Sequence, residues 1–177
     1  MPKPDLSEFE NLPRFPDGRI NYTNSAKAAT INCIIRYKRK ILLLKRSDKV
    51  GNYKGKWSIV AGYLDDETPI RKKALGEVRE ETGITEKDIS TVKLFPPITI
   101  KDKLLKKIFI TYISLITLKS RKRSKLRCAS PNEVRLWRPK IKLDWEHTEF
   151  KWVKLKDVSK FDTIPGLLLE IERTLTN

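Results

Sequence analysis

Gly62-Tyr-Leu-Asp-Asp-Glu-Thr-Pro-Ile-Arg-Lys-Lys-Ala-Leu-Gly-Glu77-Val-Arg-Glu80-Glu81-Thr-Gly83-Ile84 decides how this chain is read. It closes with carboxylates at 77, 80 and 81, the positions i, i+3 and i+4. Each residue turns a helix by about 100°, so these side chains project within an arc of about 100°. Like charges so placed repel one another and weaken the helix unless a cation sits among them. Oxygen ligands at this spacing suit Mg²⁺ or Mn²⁺, which complete their shells with water and substrate phosphate.

The helix carrying them has readable ends. Thr68 is a good N-cap, and Pro69 fits a first helical position because its missing N–H would be unpaired there anyway. Ile70, Ala74, Leu75 and Val78 form an apolar stripe at spacings of three and four. Gly83 is a C-terminal stop. The pattern therefore predicts a helix over 69–82. Gly76 inside it costs about 1 kcal/mol relative to alanine.

The stretch resembles the Nudix box. That pattern reads Gly, five residues, Glu, seven residues, then Arg-Glu-aliphatic-x-Glu-Glu-x-Gly-aliphatic. Gly62, Glu77, Val78, Glu80, Glu81, Gly83 and Ile84 match it. Thr68 stands where the family has its first Glu, and Gly76 where it has Arg. In the family those two are supporting residues, and losing both leaves no charge unpaired. Lys73, one turn before Glu77, is a candidate replacement for the missing cation. Outside the box, Leu42-Leu-Leu-Lys-Arg46, Gly55-Lys-Trp57 and Ala61-Gly62 look like the family's lead-in. Glu149-Phe-Lys-Trp152-Val153 looks like its strand after the substrate loop. Val60-Ala61-Gly62-Tyr63 replaces the common Pro-Gly-Gly.

The resemblance implies an α+β fold, the Nudix-type αβα sandwich with a mixed β-sheet, over residues 26–177, preceded by an extension at 1–25. It implies metal-dependent hydrolysis of a diphosphate linkage in a nucleoside diphosphate derivative. The alternative is a catalytically silent Nudix-fold protein that binds nucleotide or RNA. Glu77, Glu80, Glu81 and the Ala61 carbonyl would hold Mg²⁺ or Mn²⁺. The proton acceptor would be Glu77, Glu80 or a group on the late loop that carries Glu146, His147 and Glu149. His147 is the only histidine, with an ordinary pKa suited to proton transfer near neutrality. Lys45, Arg46 and Lys56 are placed to meet phosphates, and Trp57 or Trp145 to stack on a base.

Elsewhere the pattern is strand-rich. Residues 28–37 and 41–44 read as strands around a Lys-Arg-Lys turn, 57–64 as a short strand feeding the box, and 91–100 and 105–118 as further strands. Residues 140–143 and 150–155 are two more strand candidates, and 167–175 a terminal helix. Pro2, Pro4, Pro13 and Pro16 mark residues 1–25 as a segment draped on the surface or partly disordered.

Net charge is +16, so polyanions are natural partners. Residues 101–142 hold fourteen Lys/Arg and two Asp/Glu, hence +12 of that total. The densest run, Lys119–Arg127, is a solvated loop or an RNA contact; it lacks the aromatic interleaving of a single-strand platform. Cys33 and Cys128 are far apart, with no metal-ligand spacing, and Cys33 lies in an apolar strand. Nothing suggests a disulfide framework, a signal peptide or a membrane span, so a cytoplasmic protein is expected. Oligomeric state is left open, a dimer included.

Overall fold

The computed structural model describes residues 2–120 and 140–175. Seven strands form one sheet: β1 Lys27–Tyr37, β2 Lys40–Arg46, β3 Trp57–Ser58, β4 Val60–Tyr63, β5 Ile89–Asp102, β6 Lys107–Leu118 and β7 His147–Lys154. The main order is β3-β2-β1-β6-β5, with β4 also paired to β1 and β7 to β2. β1 and β6 run parallel, from Lys27↔Ile108 to Arg36↔Thr117, and the other pairings are antiparallel. The sheet is therefore mixed, and the fold is α+β.

Helix α1, Ile70–Thr82, covers one face and helix α2, Leu167–Leu175, the other. That is why β1 and β2 are apolar on both faces rather than alternating with polar residues. Ala29, Ile31, Cys33 and Ile35 of β1 pack with Ile70, Ala74 and Val78 of α1. Ile34 points the other way, to Leu167 and Ile171 of α2. Leu42 and Leu44 of β2 join the α1 side, Ile41 and Leu43 the α2 side. The Cys33 thiol donates to the Ala74 carbonyl at 3.7 Å, and burial holds its pKa far above the usual value. It is a core group; Cys128 lies outside the described residues.

Several boundaries differ from the sequence expectation. The strand expected over 57–64 is two strands that break at Ile59. Residues 140–143 make no strand; Lys142 N–H instead donates to the Thr82 carbonyl at 2.9 Å, beside the end of α1. Pro69, with ψ 135°, is the cap rather than the first residue of α1, and no side chain caps it. The Thr68 N–H is taken by Asp66 Oδ1 at 2.7 Å, an Asx turn that competes with capping. At the other end Gly83 ends the helix in the left-handed region, φ 69°.

Residues 2–25 are more than a drape. Phe9, Ile20 and Tyr22 are buried in the α1-side core. Ile20 N–H donates to the Asp65 carbonyl at 2.7 Å, and Ile70 N–H to the Pro2 carbonyl at 3.1 Å. The segment thus braces the loop that leads into α1. Among the described residues no helix is long and apolar enough to cross a membrane.

α2 carries one buried charge-bearing group. Glu170 is 1% exposed, and both its oxygens accept from the Asn32 amide at 2.9 Å. Burial pushes its pKa up to about 7, with the Asn32 bond opposing. Unfolded, the group ionises near ~4.3. The native state therefore binds this proton more tightly: the contribution of Glu170 to stability is fully present below about pH 4, is lost as pH rises to about 7, then levels off. Glu170→Gln is expected to stabilise the protein at pH 8 by up to ~3 kcal/mol and to change little at pH 4. Urea unfolding at the two pH values measures this. An equal effect at both would contradict it.

Candidate active site

α1 presents its carboxylates to a cleft of about 510 Å³. The three sit at different depths. Glu80 is exposed, the Glu77 side chain is 18% exposed, and Glu81 is buried. β4 packs against two of them, Glu77 and Glu81. Ala61 N–H donates to Glu81 Oε1 at 3.2 Å. Gly62 has no Cβ, and the Glu77 side chain fills that space: a Cβ there would lie 2.2 Å from Glu77 Oε1. This contact explains why a glycine opens the motif.

Burial raises the pKa of Glu81 well above the usual carboxylate range; the Ala61 N–H opposes, and Glu77, Glu146 and Asp144 add repulsion. Burial also raises that of Glu77, with Lys73 opposing. Glu81 Oε2 and His147 Nε2 are buried without hydrogen-bond partners among the described residues, 3.7 Å apart. His147 Nδ1 lies 3.1 Å from Asp144 Oδ1, and burial lowers the imidazole pKa, so the ring is neutral near neutrality.

Lys73 Nζ stands 3.2 Å from Asp65 Oδ1 and 3.6 Å from Glu77 Oε1. Asp65 Oδ2 is also 3.2 Å from Arg19 Nη1. The loop before α1 is thus tied to the helix by an ion pair three residues ahead of Thr68 and of Gly76, the two positions that depart from the motif. Lys73→Met strands the buried Asp65 carboxylate with only the half-exposed Arg19. It is expected to cost about 1–3 kcal/mol of unfolding free energy, less than a fully buried pair would. Urea denaturation measures the loss, and wild-type stability would refute the role.

The cleft collects groups from distant parts of the chain. Arg46 lines it, its Nε donating to the Asn52 carbonyl at 3.0 Å. The loop 47–56 is latched to the β5–β6 hairpin by Tyr53, whose hydroxyl donates to Asp102. Glu146 lines the cleft half-buried, its pKa raised by burial and by Asp144. Among the described lining residues, Asp65, Glu77, Glu80, Asp102, Glu146 and Glu170 face Arg19, Arg46 and Lys73. The cleft is thus acid-rich in a chain of net charge +16, a setting that draws cations rather than bare phosphates.

Of the residues singled out from the sequence, Ala61, Glu77, Glu80, Arg46 and Glu146 line the cleft, with Glu81 and His147 packed against it. Others lie elsewhere. Lys45 and Glu149 pair with each other at 2.9 Å between β2 and β7. Lys56 pairs with Asp162. Trp57 is buried on the α2 side, its ring edge-on to Phe161 at 5.3 Å, so it has no free face to stack on a base. Trp145 is 61% exposed, beside Glu146. From Arg121 onward the basic run lies outside the described residues; Lys119 Nζ donates to the Lys87 carbonyl at 2.8 Å. Arg19, Asp65, Tyr63 and the Asn32–Glu170 pair were not foreseen. Only Tyr63 had a sequence signal, its place beside Gly62.

Among the described residues, no three His, Cys, Asp or Glu side chains already converge as a closed metal cage. The donor set nonetheless fits Mg²⁺ or Mn²⁺. The oxygens are hard, they share one helix face, and the buried Glu81 Oε2 lacks a partner among the described residues. Mg²⁺ habitually takes only a few carboxylates and fills its shell with water and phosphate.

A family model described as the NUDIX domain matches residues 26–169. No curated protein matches the chain. Among solved structures, the MutT NUDIX hydrolase of Burkholderia pseudomallei is 16% identical with a TM-score of 0.62, over 84% of this chain and 98% of that one. A C. elegans Ap4A hydrolase is 19% identical with a TM-score of 0.56, over 84% and 98%. The NUDIX domain of Shewanella oneidensis NrtR, complexed with ADP ribose, is 17% identical with a TM-score of 0.58, over 86% and 91%. At these identities the likeness speaks for the fold.

Proposed function

The chain belongs to the NUDIX family, and from that premise we propose that it hydrolyses a diphosphate linkage in a nucleoside diphosphate derivative with the help of a divalent metal. One observation carries the proposal: Glu77 and Glu81 meet β4 beside an acid-rich cleft that Glu80 also lines, and a buried Glu81 oxygen has no partner among the described residues. The C. elegans neighbour's description as an Ap4A hydrolase and the Shewanella domain's bound ADP ribose support a nucleotide substrate class.

In this reading Glu77, Glu80, Glu81 and the Ala61 carbonyl hold the cation. Bound there, Mg²⁺ supplies positive charge against phosphate oxygens and lowers the pKa of water. Arg46 holds the diphosphate through the N–H groups not used on Asn52. Water adds to one phosphorus, and the bridging P–O bond breaks toward the other. Each product then carries a new terminal phosphate, one with the water's oxygen and one with the former bridging oxygen.

Glu146 accepts the water's proton. It lines the cleft, and its raised pKa brings it nearer the working pH. His147 is too buried for that task, and its place between Asp144 and Glu81 suits it to orient Glu81. Glu149 is exposed, pinned by Lys45 and outside the cleft.

Incubating the purified protein with Mg²⁺ or Mn²⁺ and a panel of nucleoside triphosphates, dinucleoside polyphosphates, nucleotide sugars and capped RNA ends tests the reading. Phosphorus NMR should show loss of a bridging-phosphate signal and gain of new terminal-phosphate signals, changes abolished by chelator and restored by metal. Binding without turnover of any panel member would replace it with a catalytically silent nucleotide-binding role.

A further inference from the structure

One feature of the cleft is unused by the diphosphate chemistry. Phe9, Tyr22 and Tyr63 form a ladder of rings that runs from the core to the cleft wall. Phe9 meets Tyr22 edge-on at 5.2 Å, and Tyr22 stacks on Tyr63 at 5.6 Å with 28° between the planes. Tyr22 is immobilised further, its hydroxyl donating to the Leu64 carbonyl at 2.7 Å. Phe9 and Tyr22 are buried, whereas Tyr63 is 46% exposed and lines the cleft.

The ladder thus ends in a ring backed on one face and open on the other. The backing comes from residues before 26, outside the stretch the family model matches. Tyr63 neighbours Gly62, the residue that makes room for Glu77, so a group on this ring sits beside the carboxylates of α1. Arg46, the residue proposed above to hold the diphosphate, lines the same cleft as Tyr63.

We propose that the open face of Tyr63 is the stacking platform for the nucleobase of the substrate, held rigid from behind by the N-terminal segment. The proposal rests on the nucleotide reading above. A flat aromatic face suits any base, so the platform selects for a nucleoside without choosing among bases. Rigidity matters because a ring already fixed loses little freedom when the ligand arrives.

Calorimetry with two uncleavable probes tests it: α,β-methylene-ADP, which carries a base, and methylenediphosphonate, which does not, each with Mg²⁺. The wild type should bind the nucleotide more tightly than the diphosphonate. Tyr63→Ala and Tyr63→Leu should weaken nucleotide binding by roughly 5- to 150-fold, the range for one lost base stack, and leave diphosphonate binding unchanged. Tyr63→Phe keeps the ring and should retain wild-type affinity. Tyr22→Leu, which removes the backing alone, should fall between. Equal wild-type affinity for the two probes, unchanged nucleotide affinity in Tyr63→Ala, or equal loss for both probes would overturn the proposal. Turnover of the nucleotide panel by the same proteins separates the two claims. Base-dependent binding through Tyr63 with no turnover removes the hydrolase reading and leaves the platform. Turnover that Tyr63→Ala leaves intact, with unchanged nucleotide affinity, removes the platform and leaves the hydrolase.

Discussion

Glu81→Gln is expected to lower turnover of a nucleotide substrate by roughly 10²- to 10⁴-fold, because a metal ligand contributes several kcal/mol to transition-state stabilisation and each 1.36 kcal/mol is a factor of ten. The fold should survive. A glutamine has the same shape and still accepts the Ala61 N–H that Glu81 Oε1 accepts at 3.2 Å. It also removes a carboxylate whose ionisation burial disfavours. In chelator the variant should therefore melt no lower than the wild type. Steady-state kinetics and thermal melts on the two proteins check both halves. Wild-type turnover would remove Glu81 from the site. A large fall in melting temperature alongside lost turnover would make its role structural instead.

Gly62→Ala is expected to produce the second large effect. The added methyl would lie 2.2 Å from Glu77 Oε1 and 2.3 Å from its Cδ, far inside van der Waals contact. The flexible Glu77 side chain must then swing away, since β4 is held by its pairing of Ile31 with Gly62 and Asn32 with Ala61. A displacement of about 1 Å at a reacting group costs on the order of 10²-fold. The loss should appear mainly in kcat, with Mn²⁺ affinity falling in step, and the sheet should still form. Unaltered kcat and Mn²⁺ affinity would show that Glu77 is not held by β4 in the way described.

These two positions were the most legible part of the chain. The carboxylate spacing and the apolar stripe of α1 are local periodicities, and local periodicity survives folding unchanged. The mixed sheet and the covered core followed the motif. Less legible were features set by contacts distant in sequence. Arg19 reaches Asp65 across 46 residues, and Tyr22 reaches Tyr63 across 41, with no repeat to announce either. The four prolines of the N-terminal segment hid its buried Phe9, Ile20 and Tyr22, because these three follow no strand or helix period. The burial of Trp57 was equally hidden, because the strand expected over 57–64 breaks after Ser58 and two residues are too few to show which face a side chain takes. β7 begins at His147, earlier than the 150 expected, because Thr148 and Glu149 are exposed polar positions on it. The Asp65–Lys73 pair was hidden as well, since the loop's geometry alone brings Asp65 to within 3.2 Å of Lys73.

The proposed function stands or falls with the carboxylates of α1 as the metal site. Titrating Mn²⁺ into the purified protein while following the free-ion signal by electron paramagnetic resonance tests it most directly. The wild type should bind saturably, and Glu80→Gln and Glu81→Gln, each still folded by circular dichroism, should lose that binding or weaken it severely. Mn²⁺ binding of unchanged affinity and stoichiometry in both variants would contradict it.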